Sequence, residues 1–486
     1  MIARQLSTPL LLPILLAAAL GLAACVQSTD QTHTSTIAPA QIGLAETDAA
    51  QIAWPAEEWW RSFGDSRLDQ LIAEALSGSP SMDIAAARVR QAQQAAIAAR
   101  AIKDPSLTLN AEVDRQRYSE NYIFPPPLGG NSVTDSRLAL DFSYEFDFWG
   151  RQQATIDAAR QQLAAEHAAH AAAQLILSIS VAQSYFSLLH SNIDATLAQN
   201  LVQQREATLK LQQLRAERGL ISSAQIQAPT ALLADAQREA AAGTQRVDIY
   251  KHQLAALIGR GPDALHDLNS VATNDITIAA PRQLPADLLA RRADIAAQRL
   301  RIEAASADIK AARADFYPNV DLSAFIGVQA LGTQNLLQSS SKIYGVGPAL
   351  HLPIFYRDSL RAQLGTRFAD YDIAVAQYNE SVLAAARETA DAGSALQALA
   401  HQRAAADTSL QALQQARDLA QLRYRQGLGN YLDVLAADGE LIAQQRSVAA
   451  VRDNQLQATL ALIKALGGGY QTTTSATAVH SEIAND

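Results

Sequence analysis

The chain has 486 residues, of which 49% are apolar and 6% aromatic, and its 39 basic and 48 acidic side chains give a net charge of −9. This length exceeds the roughly 250–300 residues that one hydrophobic core supports. The mild acidity excludes the class of nucleic-acid-binding proteins with a basic stripe, and a single cysteine excludes internal disulfides and multi-cysteine metal sites. The many alanines favour long helices that pack closely, because alanine is the strongest helix former and has a small side chain.

The first 25 residues have the pattern of an exported lipoprotein. Arg4 precedes an apolar run from Pro9 to Leu20, and Cys25, the only cysteine, follows shortly after that run. This order is typical of a secretory signal peptide. The segment ending at Cys25 resembles a bacterial lipobox, and the next residue is not the aspartate that retains lipoproteins in the inner membrane. The resemblance implies diacylglycerol and palmitate on Cys25, anchoring the chain in outer membrane lipid at ~0.8 kcal/mol per buried CH₂; the alternative is an incidental buried cysteine.

A unit of about 210 residues occurs twice in the chain. Residues 83–90 match residues 294–301 at six of eight positions, and residues 214–220 are similar to residues 422–428. Each unit has the pattern of a helix, two strands and a long helical hairpin. The two halves of the chain are therefore predicted to share one architecture.

The repeat divides the chain into five predicted segments. A signal peptide (1–24) and a lipidated tether (25–54) precede the first structural repeat (55–270). The second structural repeat (271–468) is followed by a flexible tail (469–486), which is rich in Thr, Ser and Ala.

Four segments alternate apolar with polar or small residues, which indicates strands. They cover 106–114 and 138–148 in the first repeat, and run from Val320 to Val328 and from Val346 to Ile354 in the second. About ten residues are enough for a tilted strand to cross a membrane. Four strands cannot close a barrel, and an open sheet edge cannot lie in lipid. Either the sheet is soluble, or several chains pool their strands; export and lipidation favour pooling.

Two very long helices are predicted. Residues 151–218 contain neither glycine nor proline and would form a helix of about 100 Å. Residues 358–426 are the counterpart, where small and apolar residues recur every seven positions from Leu364 to Leu413, as in coiled coils. Beyond residue 24 we find no uncharged apolar stretch of ~20 residues, which predicts no transmembrane helix in the mature chain.

Four motifs carry a resemblance to a known family. They are SYEFDFWGR at 143–151, LPADLLARRADI at 284–295, the segment 352–362 and YRQGLGNYLDVL at 424–435. These motifs resemble TolC-type outer membrane factors, and in particular their lipoprotein branch of NodT/OprM-like efflux components. The resemblance covers about residues 55–468, with two departures: Ala293 stands where the family usually has proline, and residues 357–359 (Arg-Asp-Ser) stand where Asp-Gly-Gly is common.

The resemblance implies a membrane protein of mixed α and β class. Three chains would contribute four strands each to a 12-stranded outer membrane β-barrel, continued by a long periplasmic α-helical barrel. Such a homotrimer would be a gated passive conduit, not an enzyme, that exports drugs and toxic compounds in a tripartite efflux system. Its implied partners are a periplasmic membrane fusion (adaptor) protein, an inner membrane RND-type transporter and outer membrane lipid, with no cofactor, metal or nucleic acid.

The resemblance also assigns a gate and a docking surface to the hairpin tips. Asp433 matches the acidic gate position and Leu432 an apolar constriction, while Ala436 replaces the second acid of the family. The alternative role for Asp433 is to complement a helix dipole. The adaptor would contact tips near 219–222 and 427–430, where glycine is needed for the turn in any case. The assigned contact residues are Arg218, Gly219, Leu220, Ser222, Gln426, Gly427, Leu428 and Gly429.

Other functional classes stay open. Glu166, His167 and His170 have the ingredients of a zinc motif, but in an order that zincins do not use, so an enzyme is the weaker interpretation. A coiled-coil surface lipoprotein explains the lipobox and the seven-residue pattern, but not the four strands. Within the conduit interpretation, metal-ion efflux and type I secretion are alternatives to drug export.

We expect the Cys25→Ser variant to lose its acyl chains and still require detergent for extraction, because membrane-spanning strands hold it in the bilayer. Fractionation of membranes washed with buffer and then with detergent measures this. Release into buffer would instead support a coiled-coil protein tethered only by its lipid.

Overall fold

The computed structural model describes residues 34–42, 54–268, 290–353 and 355–471. The predicted signal peptide, the lipidation site Cys25 and most of the predicted tether lie outside the described residues. So do residues 284–289 of the second motif and most of the predicted tail.

Within these ranges, helices and strands follow one order twice: helix, two strands, very long helix, returning helix. The first set is α1 (Ser66–Gly78), α2 (Pro80–Ala101), β1 (Ser106–Arg117), β2 (Ser132–Phe146), α3 (Arg151–Glu217) and α4 (Gln227–Leu257). The second set is α5 (Ala293–Ala314), β3 (Asn319–Leu331), β4 (Lys342–His351), α6 (Arg357–Arg425) and α7 (Tyr431–Ala465). The expected mixed α and β class is confirmed.

All four strands differ from their predicted extent. β1 continues to Arg117 and β3 covers Asn319–Leu331, so both are longer than expected, and β2 ends at Phe146, so the prediction of strand at 147–148 was wrong. β2 begins at Ser132, six residues earlier than expected, because its polar start pairs with the end of β1 as far as Arg117. β4 ends at His351, so the prediction of strand at Leu352 was wrong. The following Pro353 has no amide hydrogen to continue a ladder, and Ile354 lies outside the described residues.

The chain forms two compact units, and each draws on both halves of the sequence. Among the described residues, the first comprises 34–35, 90–165 and 299–377 without 354, and the second comprises 36–42, 54–89, 166–268, 290–298 and 378–471. The first unit contains an antiparallel sheet in the order β1-β2-β3-β4. Its register aligns Leu109 with Leu140, Leu140 with Ile326, and Ile326 with Tyr344.

The second unit has a continuous hydrophobic core. Phe63 packs against Phe186 with ring centroids 5.0 Å apart, and both are almost fully buried. Among the described residues one helix, α3, contains an 18-residue window apolar enough to cross a membrane, which corrects the expectation that the mature chain has no such stretch. More than half of that window is buried, and Leu177 and Tyr185 of α3 belong to this core, so burial in protein accounts for its apolar character.

Arg292, from the described part of the second motif, joins three helices of the second unit. Its guanidinium lies 2.7 Å from Asp294 and 2.9 Å from Glu388, and it donates to the Ala465 carbonyl at 3.2 Å. Burial lowers the pKa of Arg292, but the two carboxylates more than offset this effect and raise it overall. The motif therefore has a structural role, in which paired charges hold the start of α5 against α6 and the end of α7.

A buried hydrogen bond connects the first turn of α1 to α3. One oxygen of Asp65 accepts hydrogen bonds from the amides of Arg67 and Leu68, which caps α1. The other oxygen accepts one from the Tyr185 hydroxyl at 2.7 Å. Burial and this hydrogen bond raise the pKa of Tyr185 far above its usual value, so the hydroxyl is protonated and donates at neutral pH.

We expect Tyr185→Phe to destabilise the protein by about 1–3 kcal/mol, because it leaves a buried carboxylate oxygen without its donor. Thermal unfolding of the detergent-solubilised protein, compared with wild type, measures the change. Tyr356→Phe is the matched control, since Tyr356 is exposed. Equal unfolding temperatures for all three proteins would contradict the stabilising role of this hydrogen bond.

Candidate functional site

The sheet of the first unit has one apolar and one polar face. Because neighbouring residues of a strand point to opposite faces, the observed register assigns every strand residue to one of them. The apolar face includes Leu107, Leu109, Val113, Leu138, Leu140, Phe142, Leu322, Ile326, Tyr344, Val346 and Leu350. Many of these are exposed in the single chain, and Tyr344 is 83% exposed. An apolar sheet face of this extent requires a partner surface or lipid.

The opposite face is polar and mainly acidic. Asp141 lies 2.7 Å from the guanidinium of Arg137 and accepts a hydrogen bond from Asn110 at 2.7 Å. Arg137 also lies over the ring of Phe325, 5.9 Å from its centroid. The acidic residues of this face are Glu112, Asp114, Asp135, Asp141, Glu145 and Asp321. They outnumber the basic residues, so the face suits water and attracts cations.

Both edges of this sheet are open. β1 and β4 are the outer strands, and neither has a second strand partner among the described residues. Every residue of β1 is exposed. The main-chain amides and carbonyls along these edges need hydrogen-bond partners from water or from another strand.

The motif at 143–151 forms the turn from β2 into α3. Gly150 adopts φ +73°, a backbone conformation that glycine tolerates best. Arg151 lies 2.7 Å from Glu145. The Asp147 carboxylate accepts the amide hydrogens of Gln152 and Gln153 at 3.1 and 2.8 Å, which satisfies free donors at the start of α3. The charged residues of the motif therefore fix the angle between strand and helix.

The Trp149 side chain connects this turn to the residues that precede β3. Its ring stacks on Tyr317 with centroids 4.6 Å apart, and its indole N–H donates to the Pro318 carbonyl at 2.9 Å. A cavity of about 260 Å³ lies beside these groups. Burial raises the pKa of Asp315 in its lining, although Arg151 partly offsets the effect.

The two hairpin tips have the same turn geometry. Gly219 and Gly427 have φ values of +67° and +72°. The Leu220 amide donates to the Arg215 carbonyl and the Leu428 amide to the Arg423 carbonyl, both at 2.8 Å. This is the bond pattern of a helix that ends at a left-handed glycine. The tips thus expose two equivalent leucines, which are 66% and 69% exposed.

The remaining residues assigned to the tips are also at the surface. Arg218, Ser222 and Gln426 are exposed, and Gly429 is half-buried. The Ser222 amide donates to the Gln225 side chain at 2.9 Å, in a capping box that starts the return toward α4. The structure therefore brings all eight residues to the two turns in which they were predicted.

Asp433 and Leu432 lie in the first turn of α7. The Asp433 amide donates to the Asn430 side chain at 3.1 Å, and the Asn430 amide donates to the Asp433 carboxylate at 3.3 Å. This reciprocal pair is a capping box, so Asp433 has the local role that the sequence offered as the alternative. The Asp433 side chain is exposed and Leu432 is half-buried. Asp438, one of the nearest further acids, pairs with Arg417 of α6 at 2.9 Å.

Sequence reasoning missed a cluster of four charged side chains in the second unit, which we call the four-charge cluster: Asp194, Glu239, Arg246 and Arg446. Arg446 of α7 donates to both Asp194 oxygens at 2.6 and 3.0 Å and to Glu239 at 2.9 Å. Arg246 reaches the same two carboxylates at 2.6 and 3.3 Å. The only sequence signal was the spacing of Glu239 and Arg246, which places both on one face of α4.

The two carboxylates of the four-charge cluster are held in their charged form. Burial raises the pKa of Asp194, but hydrogen bonds from both arginines offset this effect, so its pKa lies below the usual value. A hydrogen bond from Arg446 is the main cause of the lowered pKa of Glu239. Carboxylates with lowered pKa values contribute stability at neutral pH, and this contribution is lost as the pH falls through their folded-state values.

The histidines considered for a metal site lie on α3. Burial, together with nearby His167, lowers the pKa of His170. Across the described ranges, no group of three or more His, Cys, Asp or Glu side chains is arranged to hold a metal ion.

Comparison with known proteins gives consistent matches. The family model described as outer membrane efflux protein matches residues 71–260 and 284–468. The multidrug resistance outer membrane protein MdtP of Shigella flexneri is 31% identical, with 97% of this chain and 98% of MdtP covered. The pyoverdine export outer membrane protein OpmQ of Pseudomonas aeruginosa is 30% identical, with 94% and 96% covered. The crystal structure of the outer membrane protein VceC of Vibrio cholerae matches with a TM-score of 0.78 at 36% identity, covering 86% of this chain and all of VceC.

Adjacent residues of β1 provide a test of the two faces. We expect Leu109→Arg to block insertion into the outer membrane, because an arginine on a lipid-facing strand costs ~2–4 kcal/mol near the bilayer midplane. Thr108→Arg, on the polar face, serves as the matched control and is expected to insert normally. Protease accessibility and the heat-modified gel mobility of membrane fractions report insertion. Equal insertion of both variants would contradict the assignment of the faces.

Proposed function

The chain belongs to the outer membrane efflux protein family and is an outer membrane efflux channel with a TolC-like fold, and we propose that it acts as a passive, gated conduit for small molecules. The observation that carries this proposal is the four-stranded sheet with one apolar face, one acidic face and two open edges. A conduit needs a wall, a gate and a docking surface, and it needs no catalytic group. We therefore expect no enzymatic activity.

The open edges support a homotrimer. An unpaired strand edge cannot lie in hydrocarbon, since each unsatisfied main-chain group costs several kcal/mol there. Pairing β4 of one chain with β1 of the next satisfies both edges. Three chains would close a 12-stranded barrel with the apolar face toward lipid and the acidic face toward water.

The proposed cargo is a set of small organic compounds. Relatives over nearly the whole chain are named for multidrug resistance and pyoverdine export. The acidic polar face favours the passage of cationic compounds. The conduit would receive its cargo from an inner membrane RND-type transporter through a periplasmic adaptor protein.

The hairpin tips are proposed as the adaptor contact. Leu220 and Leu428 are exposed on turns whose backbone is fixed by Gly219 and Gly427. These two equivalent leucines on rigid turns suit an adaptor that binds both tips in the same way, through the tips of its own helices. Acylation of Cys25 would add a lipid anchor at the outer membrane.

Asp433 is proposed as the gate carboxylate beside Leu432. Its capping contact with Asn430 leaves the carboxylate exposed. In a trimer three such carboxylates would face one another near the axis. There they would attract cations and form ionic contacts with basic side chains, and these contacts would weaken as the salt concentration rises. Contacts at Asp433 then favour the closed form, while adaptor contacts favour the open one.

Single-channel current of the purified trimer in a planar bilayer tests this proposal. We expect small, flickering currents from wild type and larger currents from Asp433→Ala, because the variant loses the contacts that favour the closed form. Asp248→Ala, which removes an exposed carboxylate from α4, is the control and is expected to behave as wild type. Silence from all three inserted proteins would overturn the conduit, and equal currents from all three would remove Asp433 from the gate.

A further inference from the structure

Helix α7 runs antiparallel to α3, and three polar contacts join the two helices along their length. The Gln204 side chain donates to the Leu435 carbonyl, Arg446 pairs with Asp194, and Gln457 donates to the Gln183 carbonyl at 3.3 Å. The α7 residues of these contacts are eleven positions apart. Eleven residues make just over three helical turns at about 3.6 residues per turn, so the three contacts lie along one face of α7.

The contact nearest the tip has the fewest hydrogen bonds to α3 of the three. It is one hydrogen bond from the Gln204 side-chain amide to the Leu435 carbonyl, and the Gln204 side-chain oxygen is buried without a partner. A Cβ added at Gly439 would lie 3.6 Å from the Gln204 amide nitrogen, in ordinary van der Waals contact, and the glycine itself places no side chain against α3. The remaining burial near the tip is apolar and non-directional, which permits α7 to slide or separate.

The middle contact is the four-charge cluster, and it holds α7 to two helices at once. Arg446 binds Asp194 of α3 through two hydrogen bonds and Glu239 of α4 through a third. Next to the cluster, a Cβ added at Gly243 of α4 would lie 3.2 Å from the Ala195 backbone. The two helices thus meet as closely as backbones allow, which fixes the carboxylates that receive Arg446.

Beyond the cluster α7 is part of the hydrophobic core. Leu460 and Ile463 are fully buried in the same core cluster as Tyr185. Gln457 adds hydrogen bonds to the Gln183 carbonyl and the Ser187 hydroxyl. Movement of this segment would expose core side chains.

The tip end of α7 is tied to α6 instead. Arg417 pairs with Asp438 at 2.9 Å, and Gln444 donates to the Ala406 carbonyl at 3.0 Å. These contacts join the two helices on the tip side of the cluster.

We propose that the four-charge cluster is the pivot of the gate. On opening, residues 431–445 separate from α3 together with the α6 end, while α7 from Arg446 onward stays in place. Asp194, Glu239, Arg246 and Arg446 are positioning residues that act through the tip and do not touch cargo. The inference rests on the proposed function and adds to it the place at which the moving segment ends.

Paired cysteines on the two sides of the pivot test the proposal. Cys25 is the only native cysteine and is expected to be acylated, so introduced thiols react alone. The tip-side pair is Gln204→Cys with Gly439→Cys, and the core-side pair is Gln183→Cys with Gln457→Cys. Each pair is placed in the Asp433→Ala background and joined with a short bismaleimide, and single-cysteine variants serve as controls.

We expect the tip-side bridge to remove the extra current of Asp433→Ala by about fivefold or more, while the core-side bridge leaves it within about twofold. Loss of current with both bridges would show that α7 moves as a whole. Unchanged current with both would show that the tip does not leave α3. Either result overturns the pivot.

Amide hydrogen exchange separates this inference from the proposed function, because it requires no current. In the wild-type trimer we expect residues 431–445 to exchange about tenfold faster than residues 447–465. In Arg446→Gln the fast exchange should extend toward Gln457. Uniform hydrogen exchange along α7 of the wild-type protein overturns the pivot, even if the channel conducts. If the exchange rate changes at Arg446 but no current is measured in bilayers, only the proposed conduit is overturned.

Discussion

Main-chain groups at a sheet edge must find hydrogen-bond partners, and in a membrane only protein can supply them. Both edges of the β1-β2-β3-β4 sheet are open within the described residues, and the apolar face exposes Leu109 and Tyr344. A soluble protein protects such edges with charges, bulges or covering segments. In a chain of the outer membrane efflux protein family, we infer that strands of neighbouring copies of the chain supply the hydrogen-bond partners for these edges. The proposed trimer follows from this requirement, and the proposed lipid-facing surface and acidic lumen follow from the trimer.

The two units use charge in different ways. In the first, Glu145 and Asp147 fix the turn from β2 into α3, so the family motif there is structural. In the second, Arg292 and the four-charge cluster hold helices together, while the tip end of α7 has a capping box, a single amide contact with α3 and the Arg417–Asp438 pair with α6. Several polar contacts with α3 away from the tip, and a single one near it, are the arrangement expected of a gate at the tip.

Elements with a local cause could be predicted from the sequence. β2 could be predicted because its apolar and polar residues alternate, as expected of a strand with one apolar face. The hairpin tips could be predicted from Gly219 and Gly427, because glycine tolerates the positive φ values that these turns require. The end of β4 was missed because the pattern of apolar residues continues past Pro353, where the ladder cannot. The four-charge cluster was missed because its members lie on three helices far apart in the sequence. The apolar window of α3 was missed because serine and glutamine residues interrupt its apolar residues.

Cross-linking of the two sheet edges tests the central claim most directly. Thr108 of β1 and Gly347 of β4 lie on the polar face at opposite edges of one chain's sheet, so a short thiol reagent cannot join them within a chain. In a protein with Thr108→Cys and Gly347→Cys, we predict covalent trimers on a denaturing gel, and none from either single variant. Cross-linked monomers, or no product from the folded, membrane-inserted protein, would contradict strand pooling between chains.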